Sequence, residues 1–293
     1  MNRATLSAVG SILLWCWSGV SFAVGGRIAG PMPYLALMTA TGALAVTLLQ
    51  ALRGKPLLQL VRLPARVIVA GFFGVAFYTV LFAQSLGMAP PQDIGQVNLL
   101  NYLWPVWIVV LSLLLLDDRP RVGLLLLGAF TGFCGVAVAR GFERLLVMPA
   151  SLVPHAMAGV GGLLWALYSV LLRRWRVPEE QGGTAFHFTV CALMAAGLAT
   201  ARGDWASWPG WSPELAFWVL FGGIGPVGLA YHWWEIGVKS GDVRLIGQLA
   251  YFIPVGSSIL IGIFFHEALS PGLAAGSALI AAGAWMVRRA ERP

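Results

Sequence analysis

Uncharged apolar runs alternate with short connections that hold polar residues, Pro or Gly along the whole chain. A membrane-spanning helix needs about 20 apolar residues. The runs predict ten transmembrane helices, which cover approximately residues 4–24, 33–52, 67–84, 94–116, 122–139, 154–172, 184–201, 215–234, 243–265 and 271–287. The first run follows Arg3 and ends near small residues, which is also typical of a cleaved signal peptide. We favour a retained helix because this run has an internal counterpart, described below.

The composition supports this pattern. Of the 293 residues, 58% are hydrophobic and 11% are charged, and the mean hydropathy is +0.79. An average soluble domain is roughly 25% charged. The chain therefore has more apolar surface than a water-soluble core of its length can bury, which excludes an ordinary soluble enzyme and leaves no room for a separate soluble domain.

The distribution of basic residues predicts the orientation of the chain. Fifteen of the 19 Lys and Arg residues fall at the two ends or in the connections after helices 2, 4, 6 and 8, and four fall on the other side, namely Arg27, Arg140, Arg144 and Arg202. Short cytoplasmic loops carry the excess of basic residues. We therefore expect both termini in the cytoplasm.

Other partners and prosthetic groups are not indicated. The net charge of +7 is explained by topology, and the basic residues do not cluster on one face as a nucleic-acid site requires. The cysteines, Cys16, Cys134 and Cys191, lie in apolar runs at spacing that fits neither a metal cluster nor a disulfide framework. We expect a small-molecule substrate and the lipid bilayer as partners, with no nucleic acid, no cofactor and no metal.

The chain shows an internal repeat with an offset of about 150 residues. Matching features are Leu14-Trp15 with Leu164-Trp165, Gly71 with Gly222, Gly74 with Gly225, Gly87 with Gly237, Tyr102 to Pro105 with Tyr251 to Pro254, and Asp118 with Glu267. Each half, 1–143 and 144–293, is then a five-helix unit. Because five is odd, the second copy enters the membrane from the opposite side. The pattern predicts an all-α integral membrane protein of ten transmembrane helices arranged as two inverted repeats, with the substrate near mid-membrane between them.

These features resemble the drug/metabolite transporter superfamily, and specifically its EamA-type ten-helix members. The resemblance covers essentially the whole chain. It is closest to the YddG aromatic amino acid exporters, through Leu14-Trp15-Cys16-Trp17, the segment from Asn98 to Pro105, and Gln248-Leu249-Ala250-Tyr251. This resemblance implies export of aromatic amino acids or related amphipathic metabolites across a bacterial inner membrane, by alternating access around a central cavity.

Helix 4 carries a polar face that is a candidate substrate site. Asn98, Asn101, Tyr102 and Pro105 stand at helical spacing of i, i+3, i+4 and i+7. Amides exposed to lipid are costly, so this face is expected to contact protein or a wet cavity. An amide suits both ends of a zwitterion. In the second half, Tyr251 follows Gln248 at the matching place; alternatively, these amides only join neighbouring helices.

Aromatic residues complete the predicted pocket. Trp17, Tyr78, Trp165 and Tyr168 lie near the middle of their spans and are candidates to contact a planar ligand, although packing is the commoner role of membrane tryptophans. Pro105 and Pro254 occupy matching positions and are candidate hinges or static kinks.

Few ionisable residues fall inside the spans. His187, His232 and Glu235 are the main ones, and we expect Glu235 near the cytoplasmic end of helix 8, where water reaches it. Without a carboxylate at mid-span, the sequence favours facilitated flux over ion coupling. His232 and Glu235 are three residues apart, which fits a helix-end polar pair or a proton-sensing pair.

Other function classes have weaker support. His266-Glu267 begins like a zinc-protease motif, but Ser270 stands where the second His would be, and we expect no enzymatic activity. An exporter of other amino acids, drugs or metabolites and a passive channel remain the alternatives.

Overall fold

The structure is a computed structural model that describes residues 2–55, 62–90, 92–117, 120–141, 148–149, 151–178, 181–266, 269 and 271–290. Asp118, Arg144, Glu267 and Ser270, which entered the sequence-based predictions, lie outside the described residues. Within the described ranges all regular secondary structure is helical.

Ten long helical segments form the bundle. Nine of those found in the described residues are long and apolar enough to cross a bilayer: α1 Arg3–Ala29, α2 Pro31–Leu52, α3 Ala65–Met88, α4 Ile94–Leu115, α5 Val122–Arg140, α6 Leu152–Arg174, α7 Thr184–Arg202, α8 Pro213–Ser240 and α9 Val243–Phe265. The tenth, α10, is Leu273–Ala290. The prediction of an all-helical multi-pass membrane protein is confirmed.

Three of these helices are interrupted where the sequence predicted continuous spans. The α-helical parts are Arg3–Trp15 and Ser18–Ala29 in α1, Ile94–Asn101 and Trp104–Leu115 in α4, and Val243–Leu249 and Phe252–Phe265 in α9. In α4 and α9 the cause is Pro105 and Pro254, which lack the N–H that would bond the carbonyl four residues earlier. The break therefore lies just before each proline.

The break in α1 has no proline. The Trp17 N–H bonds the Leu14 carbonyl at 3.1 Å in a tightened turn. The Cys16 carbonyl accepts a 2.7 Å hydrogen bond from Ser257 Oγ of α9. A side chain from another helix thus satisfies the backbone at this turn.

Helices α3 and α8 each contain a π-helical stretch, Phe72–Phe77 and Gly223–Leu229. Both stretches start directly after glycines that the predicted repeat pairs, Gly71 and Gly222. In α8 the stretch includes Pro226, whose carbonyl accepts a 3.0 Å hydrogen bond from Trp15 Nε1. Such irregular turns are frequent at functional sites.

Close helix contacts depend on glycine. In the pair α5 and α10, a Cβ at Gly128 would lie 2.8 Å from the Gly283 carbonyl oxygen, and a Cβ at Gly135 would lie 2.7 Å from that of Gly276. Backbone therefore packs directly on backbone, as in small-xxx-small membrane interfaces. Elsewhere the two predicted halves interlock, because α1 packs against α8, α2 against α7, and both α3 and α4 against α6.

Candidate functional site

A cluster of seven aromatic side chains fills the centre of the bundle. Its hub is Trp165 on α6, which is 3% exposed. The Trp165 ring centroid lies 5.2 to 6.3 Å from those of the other members, which are Trp15, Tyr78, Trp104, Tyr168, Tyr231 and Trp234. These separations are favourable for ring pairs. The cluster, called the aromatic cluster below, joins α1, α3, α4, α6 and α8.

Hydrogen bonds fix the orientation of the aromatic cluster. Trp234 Nε1 donates to Ser169 Oγ at 3.1 Å, and Asn101 Nδ2 donates to the Tyr78 hydroxyl at 3.4 Å. The Asn101 carbonyl oxygen packs closely on α6, where a Cβ at Gly162 would approach it to 2.7 Å. Asn101 is therefore a buried connection between α3, α4 and α6.

A second part of the site lies at the interruptions of α1 and α4. Trp17, Asn98 and Tyr102 are partly exposed there, whereas six of the seven members of the aromatic cluster are buried and Tyr231 is partly exposed. The Tyr102 ring lies beneath Arg140, the last residue of α5, with 5.6 Å between Cζ and the ring centroid. This cation–π contact places a positive charge beside the polar face of α4.

Gln248 and Tyr251 face a different part of the bundle. Gln248 lies against Gly132 of α5 and Gly283 of α10, and Tyr251 belongs to a small apolar cluster with Val136 of α5 and Ile280 of α10. The Gln248 amide atoms and the Tyr251 hydroxyl are buried and make no hydrogen bond to the described residues. The glycines leave the space that these two side chains occupy.

A buried polar cluster lies near the end of α8. Tyr168 donates a hydrogen bond to Glu235 Oε1 at 2.6 Å, and the Gly183 N–H donates to Oε2 at 3.1 Å. Lys239 Nζ lies 3.7 Å from Glu235 Oε2 and donates to the Gln181 carbonyl at 3.0 Å. The carboxylate thus contacts α6, the connection before α7, and α8.

The family assignment follows from comparison with known proteins. The model of the EamA-like transporter family matches residues 2–141 and 154–289. The chain belongs to the EamA-like transporter family. With its nine apolar helices in the described residues, it is a multi-pass transporter of the bacterial inner membrane.

Relatives of this EamA-like transporter match nearly all of its length. It is 34% identical over 287 residues to the "Aromatic amino acid exporter YddG" of Ancylobacter novellus, covering 97% of each chain. Proteins of the same name from Salmonella typhimurium and Escherichia coli are 26% and 24% identical, over 98% and 99% of each chain. A solved crystal structure matches with a TM-score of 0.85 and 32% identity over 99% of both chains.

The nine side chains predicted to bind substrate thus fall into three places in this EamA-like transporter. Tyr78, Asn101, Trp165 and Tyr168 meet in or beside the aromatic cluster, Trp17, Asn98 and Tyr102 lie at the interruptions, and Gln248 and Tyr251 face α5 and α10. The break after Asn101 divides the continuous face expected on helix 4.

Two residues differ from their expected roles. Glu235 is 4% exposed and lies inside α8, which continues to Ser240, so the expectation of water access was wrong. Its partners are Tyr168, Gly183 and Lys239, whereas both ring nitrogens of His232 lack a partner among the described residues. The sequence pattern assigns Arg140 only a role in topology, whereas in the structure its side chain lies over the Tyr102 ring.

Proposed function

We propose that this EamA-like transporter exports aromatic amino acids from the cytoplasm by alternating access around a site between residues 1–143 and 144–293. Three relatives that match 97–99% of the chain carry the name aromatic amino acid exporter. The family model matches once within each of these two halves, which supports a repeat of two units.

The observation that carries the substrate class is the aromatic cluster, with the partly exposed Tyr102 packed against the same apolar core. Planar side chains bind well between aromatic faces and edges, each ring pair adding about 0.5 to 1.5 kcal/mol beyond burial. The Asn98 amide supplies both a donor and an acceptor for the amino acid backbone. An aromatic amino acid matches both kinds of surface.

The proposed transport cycle uses the contacts between the halves. Trp15, Tyr78 and Trp104 of the first half meet Trp165 and Trp234 of the second. Separation of these rings would open the centre of the bundle, and the interruptions of α1, α4 and α9 provide points where each helix bends. Discontinuous helices of this kind border the substrate in many transporters.

Counterflow in proteoliposomes tests the proposal. Vesicles loaded with unlabelled phenylalanine or tryptophan should accumulate the labelled amino acid transiently and saturably, with and without a pH gradient. Vesicles without protein and vesicles loaded with threonine are the controls. Flux equal to that of empty vesicles for every aromatic amino acid would contradict the substrate class, and flux without saturation or counterflow would indicate a channel.

A further inference from the structure

Arg140 is a charged residue beside the candidate site. The proposed function gives this residue no role. It ends α5, and its side chain turns inward over Tyr102, a residue well inside α4. It is partly buried, and its Nε atom is fully buried with no hydrogen-bond partner among the described residues. The Nε–H group has therefore lost water without gaining a partner, while the rest of the guanidinium stays partly accessible.

The described acidic residues do not neutralise this charge. The two salt bridges found among the described residues join Arg174 to Asp117 and Lys239 to Glu235. The Tyr102 ring contributes an attraction of about 0.5 to 2 kcal/mol but no negative charge. The side chain is therefore suited to an anion that arrives with a ligand.

We propose that Arg140 binds the carboxylate of the transported amino acid. The inference rests on the proposed function and adds a residue that selects for the acid group. A guanidinium fork matches a carboxylate in a bidentate arrangement. Asn98 and Tyr102 lie on the same side of α4, where they would contact the ammonium group and the ring of the same molecule.

Two substrates that differ only in the acid group test this role. Phenylalanine and 2-phenylethylamine share a ring and an ammonium group, and only the first has a carboxylate. In proteoliposomes, Arg140→Gln should reduce phenylalanine uptake about 10- to 100-fold at low concentration, because hydrogen bonds to a charged group are lost. Uptake of 2-phenylethylamine should be unchanged or increased, so the wild-type preference for phenylalanine should disappear.

Two further variants serve as a conservative replacement and as a matched control. Arg140→Lys keeps the charge but loses the planar fork, so it should retain part of the preference for phenylalanine. This variant also tests the proposal if Arg140→Gln does not fold. Arg202→Gln is the matched control, because Arg202 is also the last residue of a 19-residue helix but is exposed. Its preference should equal that of the wild type.

The outcomes separate this proposal from the proposed function. Equal loss of both substrates in Arg140→Gln and Arg140→Lys would show that Arg140 only holds Tyr102 in place, and unchanged preference would show that it does not contact substrate. Either result would overturn the inference while leaving aromatic transport intact. Failure of the wild-type protein to transport phenylalanine would instead overturn the proposed function.

Discussion

The Tyr168 hydroxyl donates a 2.6 Å hydrogen bond to Glu235 Oε1 and thereby joins α6 to α8 inside the bundle. The same tyrosine packs on the hub of the aromatic cluster, with 5.9 Å between the ring centroids of Tyr168 and Trp165. The polar cluster around Glu235 and the candidate site are therefore physically continuous. Changes in one are expected to affect the other.

Replacing Glu235 should destabilise the protein. Glu235→Ala leaves the Lys239 ammonium, whose side chain is 1% exposed, without its counter-charge. Removing one partner of a buried ion pair costs about 3–5 kcal/mol, whereas removing both costs less. We expect a clearly lower Tm for Glu235→Ala in detergent and partial recovery in Glu235→Ala/Lys239→Met. Glu214→Gln, exposed on the same helix, should change little, and an unaltered Tm for Glu235→Ala would contradict the role of the pair.

Trp165 should contribute more to stability than any lipid-facing tryptophan. Trp165→Ala removes the hub of the aromatic cluster and leaves a cavity, for which about 3–5 kcal/mol is typical, and Trp165→Phe should lose less. Thermal unfolding and counterflow of each variant measure both effects. Trp285→Ala is the control because Trp285 is 58% exposed. If Trp165→Ala and Trp285→Ala have the same Tm, the aromatic cluster is not a main packing element.

Two glycines of α3 should respond oppositely to alanine. A Cβ at Gly74 would contact the Tyr168 Cβ and approach the Leu164 carbonyl oxygen to 2.8 Å, so α3 and α6 must separate. A Cβ at Gly87 meets nothing within 4 Å, and Gly→Ala in a helix gains up to about 1 kcal/mol. Gly74→Ala should lower the Tm and Gly87→Ala should maintain or raise it. Equal Tm values for the two variants would disprove close packing of α3 on α6.

The predicted orientation is open to a direct test. Both termini should be cytoplasmic, because fifteen of the 19 basic residues fall on that side. A green fluorescent protein fused at the C-terminus should fluoresce in cells, and an alkaline phosphatase fused there should be inactive. The reverse pattern would show that the C-terminus lies on the opposite side of the membrane.

The sequence predicted the ten spans well because their length and apolar composition are set by the bilayer, whatever the tertiary packing. Irregularities inside the spans were harder to predict from the sequence. Pro105 and Pro254 indicated kinks, and the structure interrupts α4 and α9 just before them. The turn at Cys16 had no local signal, because its carbonyl is satisfied by Ser257, more than 200 residues away.

The sequence predicted side-chain roles only where the role follows from the spacing of residues along a single helix. The spacing of Asn98, Asn101 and Tyr102 identified a polar face, but it does not show that Asn101 bonds Tyr78. The burial of Glu235 was not predicted because it depends on contacts with Tyr168 and Gly183, which lie more than 50 residues away in the sequence. Arg140 was missed because the direction of a flexible side chain at a helix end is decided by tertiary contacts.

Replacing Tyr102 should affect mainly transport, whereas replacing Asn101 should affect both transport and stability. Asn101 is 4% exposed and bonds Tyr78, so Asn101→Ala should lower the Tm as well as flux, because it removes a buried hydrogen bond worth about 0.5–1.5 kcal/mol and the packing of the side chain. Tyr102 is partly exposed beneath Arg140, so Tyr102→Ala should reduce phenylalanine counterflow about tenfold with a small change in Tm. Tyr102→Phe keeps the ring and should retain most transport. Wild-type flux in Tyr102→Ala would place the substrate away from the interruption of α4.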